Sequence, residues 1–313
     1  MRYKKLGNSN IDVSVIGHGT WLMGNDFFGD VDEAQAIKSI HASLDGGVNL
    51  IDTAAAYGEG GASEKIVGKA IAGRRGKVVL ATKTGVLRFY GNYVKCLDPN
   101  VMRIELEQSL KRLGTDYIDL YYIHWPEYNN SIEAALQTMA DMKKEGKIRA
   151  IGVSNFSVEQ IKLGVDIAGI SAVQPPLSML DRSSIENGTL PFCAQNNVAV
   201  ISYGSLGGGI LAGKTDVQVG GNELRGAFYG YYAEPMLSKC RELLAYLGKI
   251  ADNHSVSVAE VSIAWTLAQN GSTSALVGSA KPESAIKNAK AADLELTTDE
   301  LAGIEAEYKR IMG

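Results

Sequence analysis

The sequence predicts an α/β fold of one kind, a single closed (β/α)8 or TIM barrel with an N-terminal β-hairpin and extra C-terminal helices, and three observations carry that prediction. Short apolar, β-rich runs recur eight times; each is followed by a segment of helical period; and no long structureless linker separates the units. A length of 313 residues is compatible with one barrel or with two smaller domains. The unbroken alternation favours one barrel domain over residues 1–313 rather than a doubly wound sheet.

Taken in order, residues 2–5 and 10–13 read as the hairpin, with its turn over 7–10. The strand candidates are 15–19, 48–53, 78–83, 118–124, 148–154, 172–174, 198–203 and 276–279. Between them, Met102, Leu106, Leu110 and Leu113 form one apolar helical stripe, and Ile132, Leu136, Met139 and Met142 form another. Asp98-Pro99 supplies an N-cap followed by proline at the first helical position, while Gly146 and the Gly46-Gly47 pair end helices. Residues 236–254 and 257–270 read as two helices before strand eight, and 298–312 as a terminal helix with Leu301, Ile304 and Tyr308 on one side. Two loops are long, 84–97 after strand three and 204–235 after strand seven, and loops at that end of such a barrel carry function.

Composition narrows the function classes. Thirty-one basic and 35 acidic side chains give a net charge of −4 with no basic run, so neither nucleic acid nor an anionic membrane is an expected partner. The N-terminal stretch lacks an apolar signal core, and no apolar run nears the ~20 residues a bilayer span needs, which predicts a cytoplasmic protein. Cys96, Cys193 and Cys240 are far apart and form no C-x-x-C pair, so no disulfide framework and no metal site are expected.

Asp52, Tyr57, Lys83 and His124 each stand at or just beyond the end of a strand candidate. Side chains from separate strands converge in a parallel barrel at the carboxyl ends, where ligands bind. A phenol is a poor acid at neutral pH unless a cation beside it favours the phenolate, and Lys83 is placed to be that cation. Asp52 would hold Lys83, and His124 would orient a carbonyl oxygen toward Tyr57. Singly, each residue is better explained as an ordinary strand end; jointly they point to catalysis.

Other features are weaker. Residues 208–215, GGILAGKT, satisfy the phosphate-loop pattern, but Lys214 is followed by TDVQVGG, where β-branched residues and paired glycines oppose the helix which that motif requires. Gly207, Gly208, Gly209 and Gly213 still allow close backbone approach to a pyrophosphate. His18 is read as packing, and His41 and His254 as ordinary helical residues. Among the loop aromatics (Trp21, Tyr90, Tyr93, Trp125, Tyr229, Tyr231, Tyr232), Trp21 and Trp125 are chosen to line a substrate pocket, with Asn25, Asp26 and Asn92 as polar neighbours.

The sequence resembles the aldo-keto reductase superfamily over nearly its whole length. The resemblance runs from G-H-G-T-W (17–21) through D-T-A-A-A-Y-G (52–58), A-T-K (81–83), L-K-R-L-G-T-D-Y-I-D-L-Y-Y-I-H-W-P (110–126), G-K-I-R-A-I-G-V-S-N-F (146–156) and S-Y-G-S-L-G-G-G (202–209) to V-G-S-A-K-P-E-S-A-I-K-N (277–288). It implies a reductase binding NADP(H), with NAD(H) as the alternative, across the strands' carboxyl ends, and a small carbonyl or alcohol substrate. It also implies roles: Asp52, Tyr57, Lys83 and His124 as the tetrad; Ser154, Asn155 and Gln174 on the nicotinamide carboxamide; and Tyr203 stacked on its ring. Ser205, Leu206, Gly208 and Lys214 match the pyrophosphate strap, and Ser279, Lys281, Ser284 and Asn288 the 2′-phosphate and adenine contacts. Pro-Pro-Leu-Ser after Gln174, Lys287 in place of an acid, and a short Ser284 depart from the family's pattern.

Two other readings stay open on the residues alone. Lys83 could be the Schiff-base nucleophile of an aldolase on the same barrel, or the chain could bind coenzyme and act only through partners. A sugar or polyol and a small aromatic aldehyde fit the loops equally well.

Overall fold

Runs of Val, Ile, Leu and Ala that are apolar on both faces make strands with no wet side, and a parallel sheet covered by helices is their stable arrangement. The computed structural model describes residues 1–24, 29–127, 129–217 and 224–313, and closes eight such strands into a barrel. They are β1 (Ile16–Gly19), β2 (Leu50–Asp52), β3 (Val79–Thr84), β4 (Ile118–Ile123), β5 (Ile148–Ser154), β6 (Ala172–Gln174), β7 (Ala199–Ser202) and β8 (Ser272–Gly278). Neighbours pair in sequence order, and β8 closes on β1 from Ala275↔Ile16 to Gly278↔Gly19.

Strand β8 starts four residues before the expected 276–279 run. Ser272, Thr273 and Ser274 look like turn residues, yet they are buried: Ser274 Oγ donates to Ser14 O (2.8 Å), and Thr273 Oγ1 accepts from Val200 N (3.1 Å). Satisfied hydroxyls tolerate a strand interior.

Helices α1 (Glu33–Asp45), α2 (Ala62–Ile71), α3 (Pro99–Leu113), α4 (Ile132–Lys144) and α5 (Val158–Ala168) follow the first five strands. The two expected α3 signals act as read: the Asp98 carboxylate accepts from Asn100 N (2.9 Å) and Val101 N (3.2 Å), and Pro99 opens the helix; Gly114, which the sequence reading did not single out, ends it at φ 65°. Both predicted apolar stripes, on α3 and α4, face the core, and all of their residues are buried except Ile132, which is half-buried. Short α6 (Ser183–Glu186), α7 (Thr189–Gln195) and α8 (Arg225–Phe228) precede the added C-terminal helices α9 (Met236–His254), α10 (Val258–Ala268), α11 (Pro282–Lys290) and α12 (Thr298–Met312). No described helix is long and apolar enough to cross a membrane.

The N-terminal hairpin (Tyr3–Lys5 with Asp12–Ser14) stoppers the amino end of the barrel, burying Leu6, Ile11 and Val13 against Leu50, Leu120, Tyr122 and Leu276 inside it. Tyr122 fills the lumen above, and Gly152 on β5 makes room for it, since a Cβ there would overlap the Tyr122 ring. The loop expected over 84–97 is itself a hairpin, Val86–Phe89 with Asn92–Lys95. Its two-residue turn, Tyr90 (φ 48°) and Gly91 (φ 79°), has positive φ at both positions, as hairpin turns of that length require. That turn was hidden because Tyr, unlike Asn or Asp, gives no turn signal at a left-handed position.

Candidate active site

Strand pairing delivers the four predicted residues to one place. Asp52 ends β2, Lys83 lies near the end of β3, His124 follows β4, and Tyr57 comes from the turn after β2. Lys83 points into the lumen, where its Nζ donates to Asp52 Oδ1 (2.6 Å), Thr53 O (2.9 Å) and Tyr57 OH (3.2 Å). The other Asp52 oxygen, Oδ2, accepts from Gln174 Nε2 (2.7 Å). His124 stands edge-on to the Tyr57 ring with centroids 5.8 Å apart. Asp52 and Lys83 are only 3% and 1% exposed, so their charges neutralise each other out of reach of water.

The electrostatics differ from expectation at one point. Burial first, then the charge of Asp52 and that of Tyr93, push the Tyr57 phenol well above its ordinary value. The Lys83 ammonium beside the phenol is shared with the carboxylate bonded to it, and burial together with that carboxylate outweighs its pull. Burial also lowers Lys83, with Asp52 and Glu64 opposing. Burial, then Lys83 and Lys95, hold His124 well below the usual imidazole range. Near neutral pH the site therefore presents a protonated phenol beside a neutral imidazole.

Ser154, Asn155, Gln174 and Tyr203 form one connected group. Asn155 Nδ2 donates to His124 O (3.0 Å) and Ser154 Oγ (3.1 Å), Ser154 Oγ donates to Gln174 O (2.7 Å), and Tyr203 OH donates to Asn155 Oδ1 (2.9 Å). Asn155 sits at φ 60°, a left-handed position that Asn tolerates better than most residues. Neither Ser154 nor Asn155 caps α5, since Ser157 does so in a capping box with Gln160. The Gln174 amide, placed by resemblance on the nicotinamide, donates to Asp52 here.

Ser205, Leu206 and Gly208 belong to a turn running into a 3-10 segment, Gly207–Ala212, with Gly208 and Gly209 at φ 69° and 108°. Residues 214–217 are not helical, so the phosphate-loop reading of GGILAGKT lacks its helix. The Tyr229 ring lies against Gly208, where any side chain would collide with it, and Tyr232 OH donates to Gly208 O (3.2 Å). The buried Ser205 Oγ has no hydrogen-bond partner among the described residues. An orphaned hydroxyl on a glycine turn at a barrel mouth fits a phosphate-bearing dinucleotide, with Ser205, Leu206 and Gly208 as the residues that would hold its pyrophosphate. Lys214 follows that turn. At the start of α11, Ser279 Oγ accepts from Lys281 N (3.1 Å) and donates to Lys281 O (2.8 Å), closing the turn and leaving the Lys281 side chain exposed. Ser284 and Asn288 follow on α11.

Trp21 lies 6.2 Å from Tyr57, ring to ring, and Trp125 is 39% exposed beside His124 with Lys95 Nζ 4.4 Å from its ring centroid. Sequence reasoning missed Phe228, which meets Trp21 edge-on at 5.4 Å and Tyr229 at 4.9 Å. It also missed Arg88, whose Nε donates to Glu59 Oε1 (3.1 Å) and Nη1 to Tyr93 OH (3.3 Å), because the hairpin that carries it was read as loop. Asn92 is exposed on that hairpin, and Tyr90 is almost wholly exposed. Asn25 and Asp26 lie outside the described residues. His18 faces outward from β1, where its Nδ1 meets Ser43 Oγ at 2.7 Å, and burial lowers it to about 4: it packs as a neutral side chain. His41 and His254 bond to Ala70 O (2.8 Å) and Glu300 (2.7 Å).

Comparison with known proteins gives a consistent picture. A profile of the Aldo/keto reductase family matches residues 15–309. Aldo-keto reductase YhdN of Bacillus subtilis is 40% identical over 289 residues, covering 90% of this chain and 86% of the relative. An Escherichia coli protein named NADH-specific methylglyoxal reductase is 32% identical over 317 residues, with 95% of each chain covered. A solved glycerol dehydrogenase from Gluconobacter oxydans superposes with a TM-score of 0.90 at 32% identity, over 99% of this chain and 95% of that one.

Proposed function

The chain belongs to the aldo/keto reductase family, and on that premise we propose that it interconverts a carbonyl compound and its alcohol by hydride transfer, with Tyr57 as general acid and base. The observation that supports this best is the ammonium of Lys83 bonded at once to Asp52, Thr53 O and Tyr57 OH. A nicotinamide coenzyme supplies the hydride in reduction and takes it up in oxidation. A carbonyl oxygen placed between the Tyr57 hydroxyl and the neutral His124 ring accepts hydrogen bonds from both, which polarise its carbon. As that carbon gains the hydride, the oxygen takes the Tyr57 proton, and Lys83, held by Asp52, stabilises the charge left on the phenol. Trp21 and Trp125 flank the entrance.

The same geometry disfavours a Schiff-base aldolase. Three acceptors surround Nζ, so an ammonium there commits all three of its protons and keeps no lone pair for attack. Borohydride treatment in the presence of substrate tests this: no adduct is expected on Lys83, and one would overturn the hydride reading.

For the coenzyme we favour NADP(H). Lys281 is exposed at the start of α11, where a 2′-phosphate would also meet helix N-terminal amides. The NADH-specific relative shows that the fold accommodates the other choice. Spectrophotometric assay against sugars, inositols and simple aldehydes, in both directions and with both coenzymes, is the direct test. Tight coenzyme binding without turnover across the panel would leave only a regulatory role.

A further inference from the structure

Strand β3 is gripped from outside as well as from within. Lys83 points inward, so its neighbours Thr82 and Thr84 point outward to α2 and α3. Thr82 Oγ1 donates to Glu64 Oε1 (2.6 Å), while Glu105 Oε2 accepts from both Thr84 Oγ1 (2.7 Å) and Gly85 N (3.0 Å). Both carboxyls are buried, at 0% and 4% exposure, and one guanidinium serves them. Arg112 donates to Glu64 Oε2 (2.5 Å) and to Ser109 Oγ (3.1 Å), leaving Glu105 without a direct cationic bond. Among the described residues Glu105 Oε1 has no hydrogen-bond partner, and the buried phenol of Tyr121 on β4 lies close by, next to Thr84.

Gly85, at φ 87°, is where β3 turns into the hairpin. The pairs Val86↔Lys95 and Arg88↔Tyr93 put Arg88, Tyr93 and Lys95 on one face of it. That face looks onto the site: Arg88 Nε donates to Glu59, two residues after Tyr57, and Lys95 Nζ lies 4.4 Å from the ring of Trp125, the neighbour of His124.

We propose that Glu105 is a positioning residue for the reaction: from outside the barrel it fixes the end of β3 that carries Lys83 and the hairpin beside Tyr57 and His124, and its one proton decides how firmly. The proposal rests on the reading of Asp52, Lys83 and Tyr57 given above. The ionised carboxylate makes charge-assisted bonds to Thr84 and Gly85; the neutral acid accepts more weakly and must find an acceptor for its own proton. The groups facing it are Glu64 from α2, Arg112 from its own helix, Tyr121 from β4, and Thr84 and Gly85 from β3. Burial raises its pKa to about 6 against the bonds from Gly85 and Thr84, with Glu64 adding to the rise and Arg112 opposing it. The switch therefore falls within the range of working pH.

Three readouts on the full chain test this. Carbon-13 carboxyl spectroscopy follows Glu105 itself, amide exchange corrected for intrinsic pH dependence follows residues 85–96, and kcat at saturating coenzyme follows the site. Opening the hairpin breaks the bonds from Thr84 and Gly85 but leaves the carboxylate buried, unlike global unfolding. In the wild type, exchange should therefore slow and kcat rise about 2- to 10-fold, the scale of one hydrogen bond, through a single ionisation near pH 6. Glu105→Gln keeps a neutral acceptor for Thr84 and Gly85 and should stay at the acid-side level throughout, with KM little changed. An inflection persisting in Glu105→Gln, or a Glu105 titration that leaves exchange unmoved, would overturn the proposal. Should the variant not fold, the wild-type titration of exchange decides alone. Absence of any carbonyl turnover would count against the proposed function only, because exchange reports on positioning without it.

Discussion

Asp52, Lys83 and Tyr57 are locked to one another inside the barrel mouth, whereas Lys281 and Lys287 stand exposed at the rim with no ion-pair partner among the described residues. The first group is fixed by strand register, so altering any member disturbs a buried charge balance. The second hangs from one helix and can change without consequence for the core. On the proposed function, the reaction would be tied to the scaffold, and the choice between two coenzymes left to side chains the scaffold does not need.

That contrast can be broken at several points. Lys83→Met should have the largest effect, leaving the Asp52 carboxylate buried with only Gln174 to serve it: a loss of about 3–5 kcal/mol in denaturant unfolding together with most activity. Near-normal stability in an inactive variant would show that the pair serves chemistry alone. Any residual activity should have its pH profile moved further alkaline, since the phenol loses its neighbouring cation. Tyr57→Phe should keep the fold and coenzyme affinity yet lower carbonyl reduction by ~10²- to 10⁴-fold; turnover close to wild type would remove Tyr57 from its role.

Glu105→Gln sharpens the comparison from outside the lumen. The folded pKa of Glu105 is raised, to about 6, so burial of the acid favours folding below the ordinary carboxylate value and loses that contribution as pH rises through 6. The variant carries no such loss. Its stability relative to wild type should therefore increase from pH 4 to pH 7.5 by about 1–2 kcal/mol, read from thermal melts at the two values. A constant difference would mean that Glu105 does not titrate in the folded state. The smallest effect belongs to the rim: Lys281→Ala should erase most of an NADPH preference of about tenfold, the low end for one charge-assisted bond, while NADH kinetics stay nearly unchanged. Equal losses with both coenzymes would show that Lys281 holds its loop and not the phosphate.

The sequence revealed most where period and chemistry coincided. Seven strand positions and the helices around them were legible because apolar runs of two periodicities alternate without interruption. The four site residues were legible because each breaks such a run at its end. Strand β8 began early since hydroxyl side chains look like turns until their partners are known. The second hairpin was missed because its left-handed turn opens on Tyr90. Arg88, Tyr93 and Phe228 went unassigned for a related reason, as their places depend on loop paths that no local pattern encodes. Glu64 and Glu105 were invisible as a pair: 41 residues apart in the chain, they meet only because α2 and α3 both pack on the outside of β3. How far burial and the Asp52 carboxylate outweigh Lys83 at Tyr57 was not legible, because depth and the carboxylate's position come from the fold and not from spacing.

Among the described residues, the stopper at the amino end and the Tyr122 ring nested over Gly152 fill the barrel from below. On the proposed function, substrate, coenzyme and the water that would restore the Tyr57 proton would share the opening at the carboxyl end. A molecule settled deepest there would be covered by the next to enter, so traffic would run last in, first out.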